Sequence, residues 1–313
     1  MQVRIPLVLG SAIALAACVT RDNPAPAEAP RTQIVLLGTG SPIPDPDRSG
    51  PATAIIVDSV AYLFDAGAGV VRRAAAAGRE GVAAFAGRVS GSQPNPRFDR
   101  IFITHLHSDH TLGLADAVFT PWIQGRALPV DIYGPTGLQH HVTATLDAYS
   151  EDIRTRVSDP GGPSADGWKA VVHEIGAGEV YRDARVTVRA FEVPHSMSPA
   201  FAYRIDTPDR SIVISGDTRE SDAVAEACSG CDVLIHEVFS DSGLLMRDPA
   251  RQEYHAAAHT SGTGVGRIAT KGRAGMVILT HILLFGSTDD RLLREVRSTY
   301  DGPVVLGRDL GRF

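Results

Sequence analysis

Three apolar runs in this chain end in a side chain able to hold a metal: Phe102-Ile103-Thr104-His105, Val213-Ile214-Ser215-Gly216-Asp217 and Val277-Ile278-Leu279-Thr280-His281. Strand ends are where scaffolds place chemistry, and here the pattern recurs from Phe102 to His281. The densest stretch is Ile103–His110, ITHLHSDH, which holds three of the chain's 11 histidines and a carboxylate. In an extended segment His105 and His107 point the same way, because side chains alternate with period two. The chain then turns into a helix near Thr111, which leaves Asp109 and His110 free to aim elsewhere. One short segment can therefore serve two ions, His105 and His107 on one, Asp109 and His110 on the other. Imidazole nitrogen and carboxylate oxygen are borderline ligands that suit zinc. Left unligated, such a set would cost on the order of a few kcal/mol for each buried polar group without a partner.

The 313 residues, 43% hydrophobic, suffice for one large domain or two small ones. Strand-like runs begin at Gln33–Gly38, Thr53–Asp58 and Ala61–Gly67, and recur at RIFITH, LPVDIYG, VVHEI, RVTVRAFEV, AFAYRID, SIVISGD, DVLIHEV, MVILTH and PVVLG. Helical patterns fall between them: GVVRRAAAAG, TLGLADAVFTPWIQG (disturbed by Pro121), Thr136–Val157, SDAVAEAC, HTSGTGVGRIATKG and DDRLLREVRSTY. Strands with interspersed helices in both halves suggest two packed sheets with helices outside. Asp65 in FDAG reads as a turn residue or a support behind the site, and Gly67 and Gly69 allow close approach of the backbone.

H-x-H-x-D-H after a strand resembles the signature of the metallo-β-lactamase superfamily, and the resemblance covers residues 33–313. It implies an α/β fold, the αββα four-layer sandwich of two mixed sheets with helices outside. It also implies a third histidine, supplied by His195 in VPHS, a bridging aspartate, Asp217 in ISGDT, and a final histidine, His281 in LTHI. One ion would then be held by His105, His107 and His195, the other by Asp109, His110 and His281, with Asp217 bridging. The expected cofactor is Zn²⁺, two per chain, with manganese or iron as alternatives. The opening stretch Leu36–Thr53, DVLIHEVF and AAAHTSG resemble the ribonuclease Z and arylsulfatase-like branch. In that branch the glutamate and histidine at these places form a proton relay, which implies the same for Glu237 and His259. Asp109, Glu237 and His259 are the residues expected in the chemistry. His236 should point away from Glu237, His255 reads as helix surface, and His140, His141 and His173 as surface or structural.

The N-terminus carries a separate message. MQVR, the apolar run Ile5–Ala17 and Leu15-Ala16-Ala17-Cys18 describe an export signal ending in a motif that resembles a bacterial lipobox. The expected organisation is a signal over residues 1–18, a Pro/Ala-rich tether over 19–32 and a hydrolase domain over 33–313. Lipidated Cys18 would anchor the protein in the cell envelope, facing the periplasm, or the domain would be secreted. Cys228 and Cys231, in C-x-x-C, form either a disulfide or two small buried thiols.

The net charge of -6 does not attract nucleic acid in bulk. The stretch between Tyr133 and Phe191 has no obvious basic, Gly-rich arm for gripping RNA, and export would remove the enzyme from tRNA. The expected substrate is accordingly a small anionic ester, a phosphodiester or aryl sulfate, with no nucleic-acid partner. Alternatives are a ribonuclease Z-type tRNA 3′-processing endonuclease, a carbonyl hydrolase acting on lactones, thioesters or β-lactams, and a non-enzymatic metal-binding protein. Homodimer formation stays open.

Overall fold

The computed structural model describes residues 1–3, 31–87 and 95–313. Residues 4–30, which hold most of the leader, Cys18 and most of the tether, lie outside the described residues. Two sheets dominate. The first contains β1 (Thr32–Gly38), β2 (Ala52–Val57), β3 (Val60–Phe64), β4 (Arg100–Phe102), β5 (Val130–Gly134) and β6 (Ala170–Glu174), paired in that order. The second contains β7 (Gly178–Arg182), β8 (Thr187–Glu192), β9 (Phe201–Asp206), β10 (Ser211–Ile214), β11 (Val233–Phe239), β12 (Met276–Leu283) and β13 (Val304–Leu306), again in sequence order. Each sheet is mixed: β1–β3 and β7–β10 pair antiparallel, whereas β3–β6 and β10–β13 pair parallel.

Strand periodicity decides what lies between the sheets. Ile34, Leu36, Ile55, Tyr62, Phe64 and Phe102 of the first sheet meet Tyr203, Ile212, Ile214, Ile235 and Ile278 of the second in one buried cluster. Phe102 stacks on Phe64 and Tyr133, each at 4.9 Å between ring centroids. The alternate residues, Val35, Leu37, Leu63 and Ile101, face outward onto α1 (Val70–Arg79), α3 (Leu114–Ile123) and α4 (Leu138–Ala148). Val213, Leu234, Val277 and Leu279 likewise face α6 (Asp222–Cys228), α9 (Gly262–Gly272) and α10 (Asp289–Arg297). The result is the expected αββα sandwich. The helices of the second half begin on capping side chains: Ser221, Ser261 and Thr288 each accept a backbone N–H of the first turn.

Some elements differ from the sequence reading. Thr136–Val157 is two helices, α4 and α5 (Ser150–Ser158), parting at Tyr149. Strand β7 was not read because GEVYR is half-exposed at a sheet edge and lacks an apolar run. Two helices, α7 (Asp241–Leu244) and α8 (Pro249–Ala258), were also missed; α8 is largely exposed and owes its start to Asp248 and Pro249. Pro121 stays within the last turn of α3 and does not break it. Cys228 and Cys231 form a disulfide at the end of α6.

The loops around the ends of β1, β3 and β4 interlock. The Asp309 carboxylate, after β13, accepts from Thr39 N at 2.9 Å and Ser49 N at 2.7 Å, tying down both ends of the loop after β1. Gly50 N donates to the Ala68 carbonyl and Gly67 N to the Pro51 carbonyl, each at 3.0 Å, which holds that loop beside the turn after β3. At that turn a Cβ on Gly67 would lie 2.3 Å from Gly50 C and 2.7 Å from the Asp109 carbonyl oxygen. Gly67→Ala should therefore destabilise the fold by about 1–3 kcal/mol, as overpacking does. Denaturant unfolding measures this, and wild-type stability would contradict the close approach.

Candidate metal centre

Strand β4 ends at Phe102 and the chain stays extended through His107, which caps a single helical turn, α2 (Ser108–Thr111). The change from extended to helical backbone separates the four polar residues. His105 and His107 aim one way; Asp109 and His110, inside the turn, aim another. His195 follows β8, Asp217 follows β10 and His281 lies within β12. The position of His281 depends on a bulge. Glu237 pairs with Thr280 and Val238 with Ile282, so His281 is the extra residue, at φ 45. Such an insertion re-aims a side chain out of the ladder.

The structure brings these seven side chains together. His105 Nε2 and His195 Nε2 approach His107 Nδ1 at 3.0 and 3.1 Å. In the second group Asp109 Oδ2 lies 3.5 Å from His110 Nε2 and 3.2 Å from His281 Nε2. Asp217 faces both groups, with Oδ1 3.4 Å from His110 Nε2 and Oδ2 3.3 Å from His281 Nε2 and 3.8 Å from His105 Nε2. Among the described residues no Lys or Arg forms an ion pair with Asp109 or Asp217.

Such an arrangement fits divalent cations. Nitrogen lone pairs that face each other are mutually repulsive unless they share a proton or a metal. A tetrahedral ion with Zn–N of about 2.0–2.1 Å holds its nitrogens about 3.3 Å apart, close to the spacing here. His110 Nε2 is buried and has no hydrogen-bond partner. Burial opposes charge on His110, but Asp217 and Asp65 outweigh it and lift its imidazole well above the usual range. A cation at Nε2 supplies the positive charge in place of a proton. Burial, reinforced by His110, drives His105 well below its usual range, leaving it a neutral donor.

The outward-facing nitrogens of His105, His195 and His110 are tied down, as ligand imidazoles require. His105 Nδ1 meets Thr104 Oγ1 at 3.0 Å, and His195 Nδ1 donates to the Ala258 carbonyl at 2.8 Å. Asp65 does most. Its Oδ2 accepts from His110 Nδ1 at 2.8 Å, while Oδ1 accepts from Thr104 N at 2.8 Å. It thus fixes both the final turn of β4 and the ring of His110. Its motif, FDAG, reads from sequence only as a turn or a support.

Glu237 and His259 stand beside the cluster. Strand alternation puts Glu237 on the inner face of β11 and His236 on the helix side. His259 Nδ1 lies 3.2 Å from both Glu237 oxygens and 3.9 Å from Asp217 Oδ2. The Glu237 Oε1 also accepts from Thr218 N at 3.0 Å and Thr260 N at 3.2 Å. Burial pulls the His259 imidazolium down, but Glu237, through its charge and hydrogen bond, and Asp217 behind it raise it to about 9. His255, read as helix surface, is instead half-buried, its ring 5.7 Å from that of His259. His173 is structural, bonded to Asp131 at 2.9 Å and stacked on Tyr133.

Removing the Asp65 carboxylate should leave His110 free to rotate. Asp65→Ala is expected to lower metal affinity about 10–100-fold. Zinc competition against a chelating dye reads this, and unchanged affinity would mean that Asp65 does not orient the donor set.

A β-lactamase superfamily domain matches residues 61–282. Ribonuclease Z of Mycobacterium bovis (strain BCG / Pasteur 1173P2) is 32% identical over 286 residues, 90% of this chain and 97% of that one. Ribonuclease Z of Mycobacterium marinum is 30% identical over the same shares of each chain. Among solved structures, the short form of human tRNase Z superposes with a TM-score of 0.63 at 24% identity, covering 90% of this chain and 98% of that one. A metallo-β-lactamase fold protein of Bacillus subtilis gives a TM-score of 0.65 at 18% identity, covering 90% and 99%. These relatives overturn the expectation of a small anionic ester and no nucleic-acid partner. The reasoning failed because net charge says little about the field in one cleft. The chain is a metal-dependent hydrolase that belongs to the β-lactamase superfamily and, within it, to the ribonuclease Z family.

Proposed function

We propose that the chain is a ribonuclease Z-type endonuclease that cuts precursor tRNA at its 3′ side. The observation that carries this reading is near-full-length likeness to ribonucleases Z at 30–32% identity. In this reading His105, His107 and His195 would hold one zinc ion and Asp109, His110 and His281 the other, with the Asp217 carboxylate available to both. Bound there, two zinc ions would supply Lewis acidity toward a phosphodiester and lower the pKa of the attacking water.

The chain's own residues handle the proton. The leaving 3′ oxygen of the tRNA is a poor leaving group and needs protonation. His259 is the donor that fits, because it lies beside Asp217 yet is fixed by Glu237 through Nδ1, leaving Nε2 to face substrate. Against burial, Glu237 and Asp217 raise its pKa to about 9. Cations beside Asp217 would lower it toward the working pH, where a protonated imidazole gives up its proton most readily as a general acid. Glu237 orients and charges the ring, and Thr218 N and Thr260 N fix Glu237 in turn.

The test is incubation of the zinc-loaded full chain with a precursor tRNA carrying a 3′ trailer, followed by end mapping. The expected products are a tRNA with a 3′-hydroxyl and a trailer with a 5′-phosphate. An uncut precursor, or a 2′,3′-cyclic phosphate end, would overturn the reading. His259→Ala should retain zinc and slow cleavage on the order of a hundredfold. Glu237→Gln should slow it less, and the double variant should be barely worse than His259→Ala, since members of one unit are non-additive. Loss of zinc in His259→Ala would reassign that residue to the metal shell.

Where the chain works is a separate proposal, supported by the Leu15–Cys18 motif alone. We infer that Cys18 is lipidated and anchors the protein in the cell envelope, where its RNA would be met outside the cytoplasm. Labelled palmitate should mark the wild type and not Cys18→Ser; an unlabelled, cytoplasmic wild type would overturn the anchor.

A further inference from the structure

Strand β12 runs past His281 into a turn, Leu284-Phe285-Gly286, at the rim of the donor cluster. Phe285 has φ 52, a left-handed conformation that a bulky side chain adopts only where its surroundings force it, and one that gathers at ligand clamps. Its half-buried ring lies 4.6 Å from the ring of His255 and 5.5 Å from the guanidinium of Arg247. Arg247 forms no ion pair with a carboxylate among the described residues; the neighbouring Asp248 is engaged by Arg251.

Phe285 and Arg247 line a cleft of about 270 Å³ with Ile43, Asp45, Arg48 and Leu284. Ile282, the residue after His281, also lines it; none of the metal ligands does, and the link to the site runs from Phe285 through the His255 ring to that of His259, 5.7 Å further on. Arg48 is held in place through Nη1 by Thr39 Oγ1 at 2.7 Å and the Gly307 carbonyl at 3.0 Å. It stands 3.9 Å from Asp45 Oδ2 and offsets that charge, which leaves Arg247 as the uncompensated cation. Ile43, Leu245, Met246 and Tyr254 are large apolar side chains exposed on the adjoining segments.

An aromatic ring with a guanidinium over it, and no carboxylate on that guanidinium, is chemistry that holds single-stranded nucleic acid: the base stacks on the aromatic or guanidinium plane and the phosphate meets the charge. A cleft this small admits one nucleotide and excludes a duplex. We propose that it seats an unpaired nucleotide flanking the scissile bond, its base against Phe285 and its phosphate on Arg247. The proposal rests on the RNA reading above and specifies how that site holds its substrate. It also accounts for the strain at Phe285: a glycine would relieve it, but would remove the ring.

The test is fluorescence anisotropy of a fluorescein-labelled, phosphorothioate-linked pentauridylate on the zinc-loaded full chain, across a salt series. Phe285→Ala should weaken binding about tenfold, the size of a lost base stack, and Phe285→Tyr should restore it. Phe285→Gly should bind as weakly as Phe285→Ala while unfolding at a higher denaturant concentration than that variant. Arg247→Ala should weaken binding and flatten the dependence of log K on log salt by about 0.7, the slope for one phosphate on a single strand. Wild-type affinity and salt dependence in both alanine variants would overturn the proposal, as would a wild type that does not bind the probe, or a folded Phe285→Tyr that binds no better than Phe285→Ala. The probe resists cleavage, so the outcome is independent of the precursor assay. A wild type that binds the probe through Phe285 and Arg247 but leaves precursor tRNA uncut would support this proposal and defeat the tRNA reading.

Discussion

Five imidazoles and two carboxylates point at one another between the ends of two sheets, and the surrounding structure is arranged to make them do so. Nitrogen atoms 3.0 and 3.1 Å apart at His105, His107 and His195 are a liability unless a cation stands among them. Most of the local devices serve to hold that geometry. Asp65 fixes His110 and the end of β4, the bulge in β12 turns His281 out of its ladder, and the glycine at position 67 lets the α2 turn press against the β1 loop. Each is costly or neutral for folding by itself. Buried polar clusters of this kind specify function at the expense of stability, and the apolar contact between the sheets offsets it.

Much of the centre was legible because the strand period and the short motif act together. ITHLHSDH encodes its own division of labour: an extended half that aligns His105 with His107, then one helical turn that redirects Asp109 and His110. Asp217 and His281 stood out at strand ends, but joining them and His195 to the centre needed the family resemblance, since a lone histidine after a strand is ordinarily a core residue. What sequence did not disclose is geometry without a local signal. The left-handed backbone of His281 comes from a bulge in β12 that no turn motif announces. The reach of Asp65 to His110 spans 45 positions. His255 looked like helix surface because α8 is exposed, yet the ring lies against Phe285. Helix α8 itself carries almost no apolar stripe, so its pattern could not announce it.

The substrate was misjudged for a physical reason. A net charge of -6 is an average over the surface, whereas recognition depends on the few groups beside the scissile bond. Asp45 and Arg48 nearly cancel, Arg247 does not, and the aromatic ring next to it supplies attraction that no charge count registers. An acidic chain can in this way bind an acidic polymer at one place while repelling it elsewhere.

The central claim is that the seven donors form two adjoining metal positions sharing Asp217. It is tested most directly by anomalous diffraction above and below the zinc edge on crystals of the zinc-loaded protein. The account predicts two anomalous peaks, one among His105, His107 and His195, the other among Asp109, His110 and His281, with an Asp217 oxygen bonded to each. A single peak, or two peaks with Asp217 turned away from either, would contradict it.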